Sequence, residues 1–397
     1  MPTSESLRFA SEVARQLRAA GFESWLVGGC VRDLQLGRDA KDCDVCTDAR
    51  PEVIQRLFPG SLLVGAHFGV VIVRHGTVQT EVATYRSDGA YSDGRRPDQV
   101  TFETDVKRDL MRRDFTINAL LLDPRTEQVL DFVDGRADLQ AGLIRAIGEP
   151  GERFREDHLR MLRAVRFAAR FGFSIEECTW QAMVAQRESI RKVSAERVLG
   201  ELSRILTEGG AAAGMQMLRD AGLLEIILPE AGTLDVLGRL RAPGFELALA
   251  SVLLQAGEQV EVCLERLRLS KESAARVAAF VLNHPRFSGL ESMPLSVLKR
   301  FLRMKDFDQQ LELYRATVDG DDRYQRVRAL RASMTDEMLW PARLLQGADL
   351  KAMGVPADAR FSKLLTQIED AQLEGSVSTR AEAEAMVRAT FSGGSST

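Results

Sequence analysis

The chain has 397 residues, a formal net charge of -4, and 45% hydrophobic against 28% charged residues; with mean hydropathy -0.14 and a pI near 5.8 this is the balance of a globular protein. It excludes fibrous and low-complexity classes, and nothing in the overall charge marks a nucleic-acid binder. The longest apolar run, near FELALASVLL, is about half of the roughly 20 residues that a spanning helix needs.

The opening MPTSESLRF lacks the basic-then-apolar pattern of a secretory signal. Five cysteines, an odd number spread thinly, argue for reduced thiols and a cytoplasmic location. The length exceeds one ordinary core, so two to four domains are expected.

Leu7, Ala10, Val13, Ala14 and Leu17 recur at helical spacing and predict an amphipathic helix over residues 4–20, ended by Gly21. SWLVGG predicts a short strand breaking into glycines, then a brief helix through Arg32 and Asp33. CDVCT predicts the next strand, and PEVIQRLF a helix opened by Pro51. LLVGAHFGVVIVRHGTVQTEVATYR is rich in β-branched residues and predicts two strands joined at HGT. SDGAYSDGRRPD (87–98), with two Asp-Gly pairs and a proline, predicts a loop. After RRDFTINALLLDP and the strand VLDFVDG, the pattern is helical from about residue 153 onward. Turns break it near 208–213, 242–244, 284–296 and 319–322, and the tail SGGSST is expected to be disordered. The fold class is therefore α+β: a head with a small mixed or antiparallel sheet and helices, then an elongated all-α remainder.

Asp42 and Asp44 are the chemistry-bearing pair. On a strand, residues i and i+2 project to one face, so the two carboxylates point together. Such a pair repels unless a cation intervenes, and Mg²⁺ commonly joins one or two carboxylates to substrate phosphates. Glu81, on a neighbouring predicted strand, is the third acid that a two-metal site needs. A surface Asp pair that binds nothing is the alternative. The context favours phosphate chemistry, because Gly28 and Gly29 open a helix with bare backbone N–H groups. Arg32, one turn on, adds a charge-assisted donor. Neither GxxxxGK[ST] nor GxGxxG is present.

Three stretches, LVGGCVRDLQLGRDAKDCDV, RRDFTINAL and EDHLRMLRAVRFAARFGF, resemble in order the motifs of class II tRNA nucleotidyltransferases. These are the CCA-adding enzymes of the poly(A) polymerase β-like superfamily. The resemblance runs through roughly 23–210. It implies a nucleotidyltransferase head at 1–150, a nucleotide- and primer-binding neck at 151–210, a body at 211–290 and a tRNA-binding tail at 291–391. It also implies addition of C, C and A to the tRNA 3′ end from CTP and ATP, with two Mg²⁺ ions. Asp42 and Asp44 map to the metal ligands and Glu81 to the third catalytic acid.

By the same resemblance, Arg113, Asp114 and Asn118 read the ribose 2′-hydroxyl and phosphates; an N-cap Asp with a buried Asn is the structural alternative. Asp157 and Arg160, read as sharing a helix face at i, i+3, form a pair that admits cytosine and adenine. Each of those bases offers an amino donor beside a ring-nitrogen acceptor, whereas guanine and uracil present a carbonyl to the Asp. Glu156 holds Arg160, and Arg163 and Arg166 contact phosphate or primer. The loop, with Arg86, Asp88, Arg95 and Arg96, resembles the segment used in switching from C to A. Arg266, Arg268, Lys299, Arg300 and Arg303 are tRNA-surface candidates. The alternatives are an A-only tRNA-adding enzyme, a poly(A) polymerase, or an RNA-binding scaffold with a degenerate head.

Cys43-x-x-Cys46 has no second CxxC to complete a zinc site, and on a strand its thiols face opposite ways; core thiols are expected. The four histidines are scattered, and DGDD (319–322) lacks calcium-loop spacing.

Overall fold

The computed structural model describes residues 4–40, 42–64, 69–89, 99–318, 322–356 and 359–392. The chain forms two compact units, Met1–Leu234 with Val262–Ser270, and Asp235–Glu261 with Lys271–Thr397.

The first unit begins with α1 (Glu5–Ala19), capped by Ser4, whose hydroxyl accepts from the Leu7 N–H at 3.2 Å; such a cap is worth about 1 kcal/mol. The five apolar positions expected from the spacing are all buried. They pack on a sheet of seven strands in the order β3-β4-β5-β2-β1-β8-β9. In chain order these are β1 (Ser24–Val27), β2 (Asp44–Thr47), β3 (Leu62–Leu63), β4 (Val70–His75), β5 (Val78–Thr84), β8 (Leu121–Leu122) and β9 (Val129–Leu130), with β6 (Arg86–Asp88) and β7 (Val100–Phe102) forming a separate hairpin. The β2–β5 pair is parallel; the others are antiparallel.

Register decides which side chains meet. Val27 stands opposite Asp44, and Val45 opposite Val82. Val45 and Val82 share the large core cluster with α1. Alternation therefore turns Asp44 and Glu81, one residue earlier on each strand, to the other face together. Cys43 and Cys46 are both buried, in separate clusters on the two faces of the sheet.

Between the strands lie α2 (Gly29–Gln35), α3 (Pro51–Leu57), α4 (Val106–Met111) and α5 (Gly135–Ala141). Helices α6 (Pro150–Glu156), α7 (Arg160–Phe171), α8 (Glu177–Gln186) and α9 (Ala195–Thr207) follow. Ala164, Phe167 and Ala168 of α7 belong to the same core cluster as the sheet, so the arginine-bearing helix is an integral wall of the head.

Two expectations need correction. The pattern after residue 153 is not wholly helical: Ser174–Ile175 pairs in parallel with Leu143–Ile144. And EDHLR is not one helix. Asp157 is extended, at φ -144° and ψ 103°, and separates α6 from α7. Asp157 and Arg160 thus bracket a turn, in which the Arg160 N–H donates to the Asp157 carbonyl at 3.0 Å, rather than sharing a helix face.

The second unit is helical throughout its described residues, with two clusters. One gathers Phe287, Phe301, Phe307, Tyr314 and Leu339; the other gathers Leu350, Leu364, Ile368, Ala383 and Val387. No single described helix is long and apolar enough to cross a membrane.

Candidate active site

A cavity of about 470 Å³ opens in the first unit. Gly28, Gly29, Asp44, Asp114, Asn118, Asp157 and Phe167 line it, together with Arg32, Arg112, Arg113, Arg160, Arg163, Arg166, Arg170 and Arg204. Among the described residues that is eight arginines against three aspartates. Positive charge of this density repels itself in a low dielectric, so the way it is held reveals what the cavity can accept.

The glycines come first. Gly28 has φ +80° and ψ -138°, which an L side chain rarely adopts. A Cβ on Gly29 would lie 3.4 Å from Arg32 Nη2. The turn brings bare backbone to the cavity wall.

Arg32, on α2, donates to Asp33 Oδ1 at 2.8 Å and to Asn118 Oδ1 at 2.6 Å, and lies over the rings of Phe171 and Phe167 at 4.6 and 5.1 Å. Asn118 passes the contact on, donating to Asp114 Oδ1 at 3.0 Å. Asp114 also accepts from Arg163 Nη2 at 2.6 Å and Nε at 3.0 Å. Burial works to raise the Asp114 pKa, yet Arg163, Asn118 and Arg160 together hold it down at about 2. The chain Arg32–Asn118–Asp114–Arg163 joins residues from three sequence segments into one network.

Arg113 is fixed from behind by Asp109, which accepts from its Nη2 at 3.1 Å through one oxygen and from Arg112 Nη2 at 2.6 Å through the other. Asp109 is fully buried and also accepts the Arg86 N–H at 3.3 Å. Arg86 pairs with Asp88 at 3.1 Å, and Asp88 lies 3.9 Å from Arg112, so the base of the expected loop is tied to the cavity. Arg95 and Arg96 lie outside the described residues.

On α7, Arg160 donates to Glu156 Oε2 at 2.5 Å and to the carbonyls of Arg153 and Arg112, each at 3.0 Å. Arg166 pairs with Glu201 at 2.9 Å and stacks on Phe167 at 4.3 Å; burial pushes its pKa down to about 10, against the pull of Glu201. Arg170 pairs with Glu208 at 3.3 Å. Asp157 accepts from the Leu159 N–H at 3.1 Å and from Arg197 Nη2 at 2.8 Å; it makes no pair with Arg160.

The three acids expected to converge differ in kind: Asp44 lines the cavity, whereas Asp42 and Glu81 are not among its lining residues. Asp44 begins β2 and is half-buried, Asp42 occupies the exposed bend before it, and Glu81 is exposed on β5. Burial first, then the charge of Glu81 and more weakly that of Asp42, push the Asp44 pKa up to about 6, with Arg113 opposing. A carboxylate raised in this way by its neighbours is one that a divalent cation relieves, and oxygen is the donor that Mg²⁺ prefers. Among the described residues no three His, Cys, Asp or Glu side chains are gathered into a metal-holding cluster.

Four of the five basic residues expected to form a tRNA surface are engaged within their own units. Arg266 pairs bidentately with Glu230 at 2.7 and 2.6 Å. Lys299 donates to the Leu373 carbonyl at 2.7 Å, Arg300 pairs with Glu369 and Asp370, and Arg303 with Glu369. Arg268 sits in a turn at φ +61°.

Sequence reading missed Asp109, Arg112, Arg197, Glu201 and Glu208. Asp109 and Glu201 did carry a signal. Each stands three residues after a buried valine, Val106 and Val198, on the apolar phase of its helix, where a charge needs a partner.

The first unit thus joins a mixed sheet that carries Asp44 to a cationic, glycine-opened cavity. Residues 24–145 match the poly A polymerase head domain, and residues 172–233 match the probable RNA and SrmB-binding site of polymerase A.

The CCA-adding enzyme of Oceanobacillus iheyensis is 44% identical over 222 residues, 56% of this chain and 55% of that protein. That of Geobacillus kaustophilus is 43% identical over 211 residues, 53% of this chain and 52% of that protein. The matched stretch thus spans about half the length of these curated relatives. The crystal structure of the Bacillus stearothermophilus CCA-adding enzyme in complex with CTP aligns with a TM-score of 0.79 at 27% identity, over 98% of this chain and 100% of that one. The Thermotoga maritima CCA-adding enzyme complexed with tRNA aligns at 0.69 and 20% identity, over 98% and 96%, a likeness of fold.

Proposed function

We propose that the protein adds C, C and A to the 3′ end of tRNA, using CTP and ATP and releasing pyrophosphate. The observation that carries this reading is the cavity, with its eight arginines among the described residues, beside Asp44. Its arginine excess matches the negative charge of a triphosphate. The names of the curated relatives and the CTP-bound structural neighbour support the same substrate class.

In this reading Arg32, Arg113, Arg163 and Arg166, with the Gly28–Gly29 backbone, bind and orient the triphosphate. Asp114 and Asn118 meet the ribose hydroxyls, and the guanidiniums of Arg32 and Arg163 keep both side chains turned toward it. Asp42, Asp44 and Glu81 would hold two Mg²⁺ ions, which lower the pKa of the primer hydroxyl and neutralise the departing pyrophosphate. The primer 3′-oxygen forms its bond to the α-phosphorus as the bond to the β-phosphate oxygen breaks. Positioning and charge supply the rate, without a covalent enzyme intermediate.

Base choice falls to Asp157 and Arg160. The carboxylate accepts from the exocyclic amine of cytosine or adenine, and the guanidinium donates to the adjoining ring nitrogen. With Glu156 on one side and backbone carbonyls on the other, Arg160 presents a fixed donor edge, so protein stands where a template base would.

The test offers the purified protein tRNAs ending before CCA, after C and after CC, each with CTP or ATP. Stepwise C, C, then A supports full CCA synthesis. Incorporation of ATP alone, on tRNA ending in CC, replaces it with terminal adenylation. No incorporation on any primer leaves an RNA-binding scaffold.

A further inference from the structure

Arg160 has an evident holder in Glu156. Asp157 has one too, on a helix that none of the sequence motifs includes. Asp157 lies outside regular helix, so no helical geometry orients its side chain; two contacts do. One oxygen accepts from the Leu159 N–H at 3.1 Å and the other from Arg197 Nη2 at 2.8 Å. Together they fix the plane of the carboxylate. Each oxygen keeps lone-pair capacity for a ligand, since an ionised carboxylate offers about four acceptor sites.

Arg197 stands in the first turn of α9, where the helix dipole disfavours a cation. Both members are mostly shielded, with side chains 23% and 18% exposed. Arg197 does not line the cavity; whatever it does there it does through Asp157. Four residues further along α9, Glu201 grips Arg166, so one helix braces both the base-reading and the phosphate-facing sides.

We propose that Arg197 is a specificity-determining positioning residue: by anchoring Asp157 it sets which bases the cavity admits. This rests on the reading of Asp157 and Arg160 as the base-selecting pair. A carboxylate released from Arg197 can turn away from the base edge, and the repulsion that excludes guanine and uracil then weakens. The ring nitrogen of cytosine or adenine still accepts from Arg160, so correct addition persists.

The test measures addition of each of the four nucleotides to tRNA ending before CCA and after CC. In Arg197→Ala, U and G addition relative to the correct base rises about tenfold, the scale of one charge-assisted hydrogen bond. Arg197→Lys recovers most of the discrimination, because a single Nη makes the contact and a point charge can stand in for it. In an Asp157→Ala background, Arg197→Ala changes selectivity no further.

Slower addition with unchanged base preference in Arg197→Ala makes Arg197 a structural brace and overturns the proposal. Failure of Arg197→Lys to recover, or additive effects in the double variant, overturns it equally. Failure of the underlying reading looks different: the wild type shows no preference for C and A, or Asp157→Ala keeps the wild-type preference.

Discussion

The arginines of the two units are used in opposite ways. In the first unit, guanidiniums crowd one cavity, each gripped from behind by a carboxylate or an aromatic face while its front stays turned to open space. In the second, Arg300 on 295–302 and Arg303 just past its end close onto Glu369 and Asp370 on 359–374, and Arg276 closes onto Asp306. There the pairs join helix to helix and leave little for a ligand. Charge counts along the sequence do not separate these cases. What separates them is an excess of cations gathered around one volume, which only the fold creates.

Predictions can break that contrast, beginning with the largest effect. Asp44→Ala removes the acid nearest the arginine wall and is expected to lower nucleotide addition at least about a thousandfold, on the scale of losing a central electrostatic element. CTP binding, measured by calorimetry, should persist; addition at wild-type rate dissociates the acids from the chemistry.

Arg163→Ala is expected to weaken CTP binding by roughly 10- to 100-fold, matching one charge-assisted contact of about 1.5–3 kcal/mol. Equal affinity in wild type and variant shows that the cation excess is not the ligand site.

Asp114 sharpens the contrast through pH. Its folded pKa of about 2 lies below the ordinary value for an aspartate, so its contribution is complete above about pH 4 and lost as pH falls toward 2. The loss is on the order of 2 kcal/mol, and acid denaturation of Asp114→Asn should lack that component. Identical acid curves for the two proteins contradict the network.

The smallest effect belongs to the second unit. Arg303→Ala should lower stability by about 1 kcal/mol, as for a partly shielded ion pair, and leave CTP affinity untouched. A change in affinity there overturns the division between joining and ligand-facing arginines.

Much of the head was legible. The spacing of Leu7 to Leu17 gave α1 almost to the residue, and the HGT turn fell between β4 and β5 because β-branched runs and a glycine turn are local signals. Gly28, Asp44, Asp114, Asn118, Asp157 and the α7 arginines named in advance do line one cavity. The break in EDHLR was not legible, since its residues tolerate helix and only packing of α6 and α7 imposes the turn. Asp109, Arg197 and Glu201 escaped for another reason. Two of them reach across the chain to their partners, Arg197 to Asp157 and Glu201 to Arg166, and no local pattern encodes that pairing. Asp109 meets Arg112 and Arg113 within its own segment, but its value as an anchor comes from full burial.

The central claim is that the arginine-lined volume beside Asp44 is where a nucleoside triphosphate sits. A crystal structure of the protein grown with CTP and Mg²⁺ tests it most directly. The account predicts the triphosphate against Arg32, Arg113 and Arg163, with the cytosine edge turned to Asp157 and Arg160. CTP bound elsewhere, or bound there with its base turned away from that pair, contradicts it.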